Sequence, residues 1–286
     1  FTEHQVTRTT DGCNFEKVRD LPANVTDWAI HRPSGSVAYI QSGGDAAGIW
    51  LSSDKGASFE RVEVDKPALK LTQIVFVDAG NLFVSAYIED PERAATGGGD
   101  AGMADAGDVG DAGDVGDVSD SDAGMADAVD TGPPLPERGA ARFFTTDAPD
   151  QVMAADDFKY PYVFEAGGGR VVWLGRKGDG QKLVAGTTEA PVGSVTPVDS
   201  WPKDVAVSPD GGEVWVAGVD GDARSFLRGT ESGGEMSFEQ VHAGHSAICV
   251  GYADQTPYVC GSRAREGVDL QRRTSGGMFE EVVTIT

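Results

Sequence analysis

Basic residues are scarce: 23 Lys and Arg stand against 46 Asp and Glu in 286 residues, a formal charge of −23. A surface of that sign repels nucleic acid and anionic membranes, and it leaves cations and basic proteins as the charged partners to expect. No stretch approaches the ~18 consecutive apolar residues that a membrane span requires. The chain starts at Phe1 with neither an initiator Met nor a signal-like apolar run, so it reads as a processed or truncated product. Three cysteines are too few for a disulfide scaffold. Helical periodicity is absent along the whole length. What is present is enough apolar surface for a substantial core, at 40% apolar and 8% aromatic residues.

A four-residue segment recurs as FEKV from Phe15, FERV from Phe59, FEQV from Phe238 and FEEV from Phe279. Each follows a turn opened by a hydroxyl residue, at Thr10-Asp11, Ser53-Asp54, Thr230-Glu231 and Thr274-Ser275; two more such turns stand at Thr146-Asp147 and Thr188-Glu189. Between them runs a second series of β-rich hairpins whose turns begin at Pro33, Asp78, Ala166, Pro209 and Ala253. Gly, Asp, Asn and Pro supply the turn geometry there, while Val, Ile, Tyr, Phe and Trp suit a pleated surface. The turns are 45, 88, 43 and 44 residues apart, and the long interval holds 44 residues of low complexity, Ala94 to Glu137. Without them the period is nearly constant. Two hairpins per ~44 residues make four strands per repeat, the signature of an all-β propeller built from four-stranded antiparallel blades.

Ser52-Ser53-Asp54-Lys55-Gly56-Ala57-Ser58-Phe59 fills every position of the pattern Ser/Thr-x-Asp-x-Gly-x-Ser/Thr-Trp/Phe, and degenerate copies lie at Thr10 and Thr274. The segment resembles the Asp-box, or BNR repeat, of the superfamily that includes sialidases, sortilin-type receptors and photosystem assembly factors. The resemblance implies a structural turn between strands c and d, in which Ser52, Asp54, Gly56 and Ser58 shape the loop and Phe59 packs between sheets. The whole of 1–286 is then one propeller domain, with five complete blades and one half blade. Because the first hairpin is a c–d pair, two strands upstream of Phe1 are expected to complete six blades in the full-length protein.

The insertion at 94–137 falls between strands b and c. Its ten aspartates and Glu137 account for about half of the net charge, with no Lys or Arg to offset them. Its composition points to disorder. An ordered calcium site is the sharper alternative, with Asp108, Asp111, Asp114 and Asp117 as ligands, because hard cations take several oxygens. No other cofactor is expected. The connections from strand d to strand a share that face and carry Asp27, Thr72, Phe158, Tyr160, Trp201, Lys203, Asp204, His242 and His245, so a ligand-binding funnel is expected there. His242 and His245 form a close pair that could reach one metal.

Cys249 and Cys260 flank a two-residue turn at Asp254-Gln255, which sets them opposite one another within disulfide range. The same register sets Ala29 against Ile40, Tyr162 against Trp173 and Val205 against Val216. A disulfide places the chain in an oxidising compartment. Cys13 is left over to pair with the expected upstream strands.

Sialidase chemistry needs an arginine cluster, a Tyr/Glu nucleophile pair and an acidic proton donor. Arg32-Pro33 faintly resembles part of that set, but Arg32 lies in a turn after strand a. The sequence therefore reads as a non-catalytic, extracytoplasmic bacterial propeller that presents a rigid face to a protein or glycan. The alternatives are a degenerate sialidase-like glycoside hydrolase or lyase, and an assembly factor or structural subunit of a larger complex.

Overall fold

The computed structural model describes residues 5–8, 13–64, 69–89, 139–218, 225–242, 246–263, 267–274 and 277–285. Every regular element among them is a β-strand. A lone pair is formed by β1 (Gln5–Arg8) and β2 (Glu16–Asp20). The next sheet runs β3 (Val25–His31), β4 (Ser36–Gln41), β5 (Gly48–Ser52), β6 (Glu60–Val62). A seven-stranded sheet follows: β7 (Leu69–Phe76), β8 (Leu82–Ile88), β9 (Ala140–Thr145), β10 (Ala148–Gly167), β11 (Arg170–Lys177), β12 (Gly180–Thr187) and β13 (Ser194–Val198). Two four-stranded sheets complete the chain, β14 (Asp204–Val207) to β17 (Glu235–His242) through β15 (Glu213–Ala217) and β16 (Ser225–Ser232), and β18 (Ser246–Ala253) to β21 (Phe279–Ile285) through β19 (Thr256–Arg263) and β20 (Gly267–Arg273).

The seven-stranded sheet is two blades that share one strand. β10 is 20 residues long; its first half pairs with β9 and its second with β11. Tyr160 stands at the joint with φ 51°, in the left-handed region that bulky residues seldom occupy. Sequence pattern alone separates strand d of one blade from strand a of the next. The structure runs them together as one bent strand.

Each apolar core lies between neighbouring blades, as expected when both faces of every sheet are packed. Ala38, Ile40 and Ile49 of the β3–β6 blade meet Ile74, Phe76, Leu82 and Phe144 of the next. Phe83 and Phe143 then meet Val171 and Trp173, and Val172 and Leu174 meet Val205, Val207 and Val216. Trp215, Ala217 and Phe226 meet Ala247 and Val259. These face-to-face contacts between consecutive four-stranded units make the fold a β-propeller. Among the described residues the sheets comprise five four-stranded units and the two-stranded β1–β2 pair.

The hairpin turns follow local chemistry, with three departures from the expected register. Ala29 opposes Ala38, while Ile40 opposes Asp27. Tyr162 opposes Leu174, and Val163 opposes Trp173. In both hairpins the turn is centred one residue away from the expected position; the Gly168-Gly169 corner, with both residues at positive φ, fixes the second. Val205 does oppose Val216, and Cys249 opposes Cys260, joined as a disulfide. The β16–β17 turn lies at Gly233-Gly234 and not at Thr230-Glu231, which are paired with Ser237 and Met236. Two glycines at φ 64° and 88° supply the twist that a two-residue hairpin demands.

At the β5–β6 turn the Ser52 hydroxyl donates to Asp54 Oδ1 at 2.7 Å and accepts from Gly56 N at 2.9 Å. Asp54 accepts from Ser58 N at 2.9 Å and from Ser58 Oγ at 2.6 Å. These bonds hold the Asp54 carboxyl near pKa 2. Phe59 meets Tyr39 edge-on at 4.9 Å. Phe15, at the equivalent point of β1–β2, is 67% exposed. The β1–β2 pair lies against the next blade elsewhere, with Arg19 Nη1 donating to Ala57 O at 3.3 Å and its guanidinium 5.7 Å from the Phe59 ring centroid.

Candidate functional site

The strands β3, β7, the second half of β10, β14 and β18 open their first blades' edges onto one central cavity of about 700 Å³. That volume is in the range of small-molecule sites. All five are the first strands of their blades and run in the same sense along the cavity. One end is therefore ringed by the connections that enter these strands, and the other by the tight turns that leave them.

Asp27 and Asp204, both expected at the funnel, line this cavity. Each also ties its blade to the next. Asp27 Oδ2 accepts the Ile74 backbone N–H at 2.7 Å, and Asp204 Oδ2 accepts that of Val250 at 3.0 Å. Burial pushes Asp27 up to about 6 despite the bonds from Ile74 and Trp28. Asp204 is raised by the same cause, opposed by the N–H groups of Val250 and Val205.

Tyr160 and Trp201 lie at the entrance end, 55% and 48% exposed. Trp201 packs edge-on to Tyr162 at 4.9 Å and is 5.9 Å from Phe164, and both partners line the cavity. Tyr160 meets Tyr87 at 5.6 Å. Of the nine expected residues the structure brings together Asp27, Asp204 and Trp201, the last against Tyr162, which was not expected there. Lys203 lies along Gly218 and does not line the cavity. Phe158 is core, buried against Trp173 at 5.0 Å. Thr72 spends its hydroxyl on Ser85, donating to the backbone O at 3.0 Å. His242 ends β17 opposite Ser225, in a strand and not in the expected loop. His245, Asp108, Asp111, Asp114 and Asp117 lie outside the described residues. Among those described, no group of three or more His, Cys, Asp or Glu is placed to hold a metal, and no helix is long and apolar enough to cross a membrane.

Sequence reasoning missed Glu165, Trp28, Ile30 and the inward placement of Arg32, all of which line the cavity. Trp28, Ile30 and Arg32 share one side of β3 and its continuation, alternating with the half-buried Asp27, Ala29 and His31. Glu165 is pushed up to about 7 by burial between the channel walls and by the Asp204 carboxylate, with Arg32 pulling the other way. A single acid inside the apolar run Tyr162-Val163-Phe164-Glu165 was the available signal.

Neither any protein-family model nor any curated protein matches the sequence. Solved structures do match its fold. A chain of a nidogen/laminin complex superposes with a TM-score of 0.50 at 9% identity, covering 97% of this chain and 86% of that one. The acylaminoacyl peptidase of Pyrococcus horikoshii superposes with a TM-score of 0.53 at 11% identity, covering 98% of this chain. The chain spans 41% of the peptidase's length. The neighbours are β-propeller-like, and at such identities the likeness is one of fold.

Proposed function

We infer that this chain is a non-catalytic binding propeller that takes a protein partner on the entrance end of the channel. The observation that carries this reading is the pair of half-exposed aromatic side chains there, Tyr160 and Trp201. Each is braced by further aromatics, Tyr87 beneath Tyr160 and Tyr162 with Phe164 beneath Trp201. Rigid, partly exposed aromatics on a fixed scaffold are what interface hot spots are made of. The net charge of −23 favours a basic partner. The nidogen/laminin neighbour is a protein–protein complex, and the analogy of fold supports a partner of the same kind. The Cys249–Cys260 disulfide supports an extracytoplasmic setting.

The test is affinity capture from the extracytoplasmic fraction of the native source with the full chain, a Tyr160→Ala/Trp201→Ala variant, and a control changed on the outer strand β13 at the exposed Val195→Ala. The reading expects a specific protein retained by the wild-type chain and the control and lost with the double variant at unchanged melting temperature. Equal retention by the double variant contradicts it.

A further inference from the structure

Besides the aromatic end, the channel itself holds a charge arrangement that partner docking does not use. Arg32 and Glu165 lie on different inner strands or their continuations, and both line the same cavity. They are close enough for Arg32 to bias the ionisation of Glu165, yet no side-chain hydrogen bond or ion pair joins the two. A guanidinium and a carboxyl group that face one cavity without bonding each other present two separate anchoring points. Trp28 and Ile30 on β3, apolar and half-exposed, line the same cavity. Asp204 adds a second negative charge on the Glu165 side, with its own oxygens held by Val205 and Val250 N–H.

We propose that the channel binds a small amphipathic zwitterion, an apolar amino acid or short free peptide, whose ammonium is taken by Glu165, whose carboxylate is taken by Arg32 and whose apolar part lies on Trp28 and Ile30. Arg suits a carboxylate because its planar fork can bond both oxygens. The cavity, at about 700 Å³, is large enough for a dipeptide. The site is distinct from the aromatic end, so its failure leaves the protein-binding reading standing, and loss of partner capture leaves this one standing.

Isothermal titration of the full chain uses leucyl-leucine, its N-acetyl derivative and its C-terminal amide. The free dipeptide is expected to bind saturably, and each blocked derivative to bind about tenfold more weakly or worse, the loss of one charge-assisted contact. Glu165→Gln is expected to abolish the preference over the N-acetyl form, and Arg32→Gln the preference over the amide, with unchanged melting temperatures. Absence of saturable binding up to roughly 10 mM overturns the proposal. So do equal affinities for the three ligands, or either preference surviving in its variant. Should a variant fail to fold, the three-ligand comparison on the wild-type chain decides alone.

Discussion

Asp27 Oδ2 accepts the backbone N–H of Ile74 at 2.7 Å, from the innermost strand of one blade to that of the next. Asp204 repeats the arrangement 177 positions later, on Val250 at 3.0 Å. Each carboxylate caps an N–H that would otherwise be orphaned at a blade boundary, so each acts as a latch between sheets as well as a wall of the channel. Replacing Asp27 by Ala leaves the Ile74 N–H without its partner and is expected to cost about 1–3 kcal/mol. Asp27→Asn retains an acceptor oxygen and should cost less. Urea denaturation of the two variants checks the order.

The pH dependence of stability has a definite sign. Asp27 sits at about 6 against an ordinary 3.8, and Glu165 at about 7 against 4.5. The folded chain keeps these protons where the unfolded chain has released them. Their contribution is therefore fully present below the ordinary values and is lost as pH rises through 6 and 7. For Asp27 alone it amounts to at most about 3 kcal/mol. Denaturation at pH 4.5, 6 and 7.5 should show stability falling with pH, and the fall should be shallower in Glu165→Gln. An identical slope in wild type and variant contradicts the assignment.

Much of this architecture was legible in the sequence because it is periodic. The hydroxyl-led turns and the FExV strands give the repeat, and its 44-residue spacing gives four strands per blade. The channel was only partly legible. Asp27 and Asp204 could be found because they stand where a connection enters an inner strand. Trp28, Ile30, Arg32 and Glu165 could not, because which side of an inner strand faces the axis depends on register. The pairing of Tyr162 in β10–β11 moved by one residue, which changes faces, while the partner of Ala29 in β3–β4 moved by two, which does not. Phe158 misled for the opposite reason: it belongs to a connection in the sequence and to the core in the structure, where β10 continues unbroken.

Glu213 anchors the last two blades to one another. Its Oε1 accepts from Arg228 Nε and from Arg273 Nη1 at 3.0 Å, and its Oε2 from the Tyr252 hydroxyl at 2.9 Å. The Arg273 guanidinium also lies over the Trp215 ring, 5.4 Å from its centroid. Glu213→Ala strands the Arg273 guanidinium and leaves Arg228 with Glu239 alone, and is expected to cost at most about 3 kcal/mol. Tyr252→Phe removes one hydrogen bond and should cost about 1 kcal/mol. Chemical denaturation followed by tryptophan fluorescence separates the two.

Two glycines with similar backbone angles should respond very differently to alanine. At Gly168, φ 55°, a Cβ would lie 2.1 Å from the backbone N of Gly211 on the next blade, where the two turns touch. At Gly178, φ 59°, it would meet nothing within 4 Å. Gly178→Ala is expected to cost about 1 kcal/mol from the left-handed conformation alone. Gly168→Ala should cost well over about 2 kcal/mol, because backbone must move at a blade boundary. Equal melting temperatures for the two variants would contradict the packing described for this boundary.

The Cys249–Cys260 bond closes a short loop, with a sequence separation of 11. Its removal by reduction is expected to lower stability by about 2–3 kcal/mol. Thermal unfolding with and without a phosphine reductant measures it.

The claim on which the function rests is that binding takes place on and within the ring of inner strands. Hydrogen–deuterium exchange of the full chain, alone and with the protein it captures, tests this most directly. The account predicts slowed exchange in 26–32, 158–166 and 199–206, around the channel and its aromatic end. Slowing confined to the outer strands β6, β13, β17 and β21, with the channel segments unchanged, would contradict it.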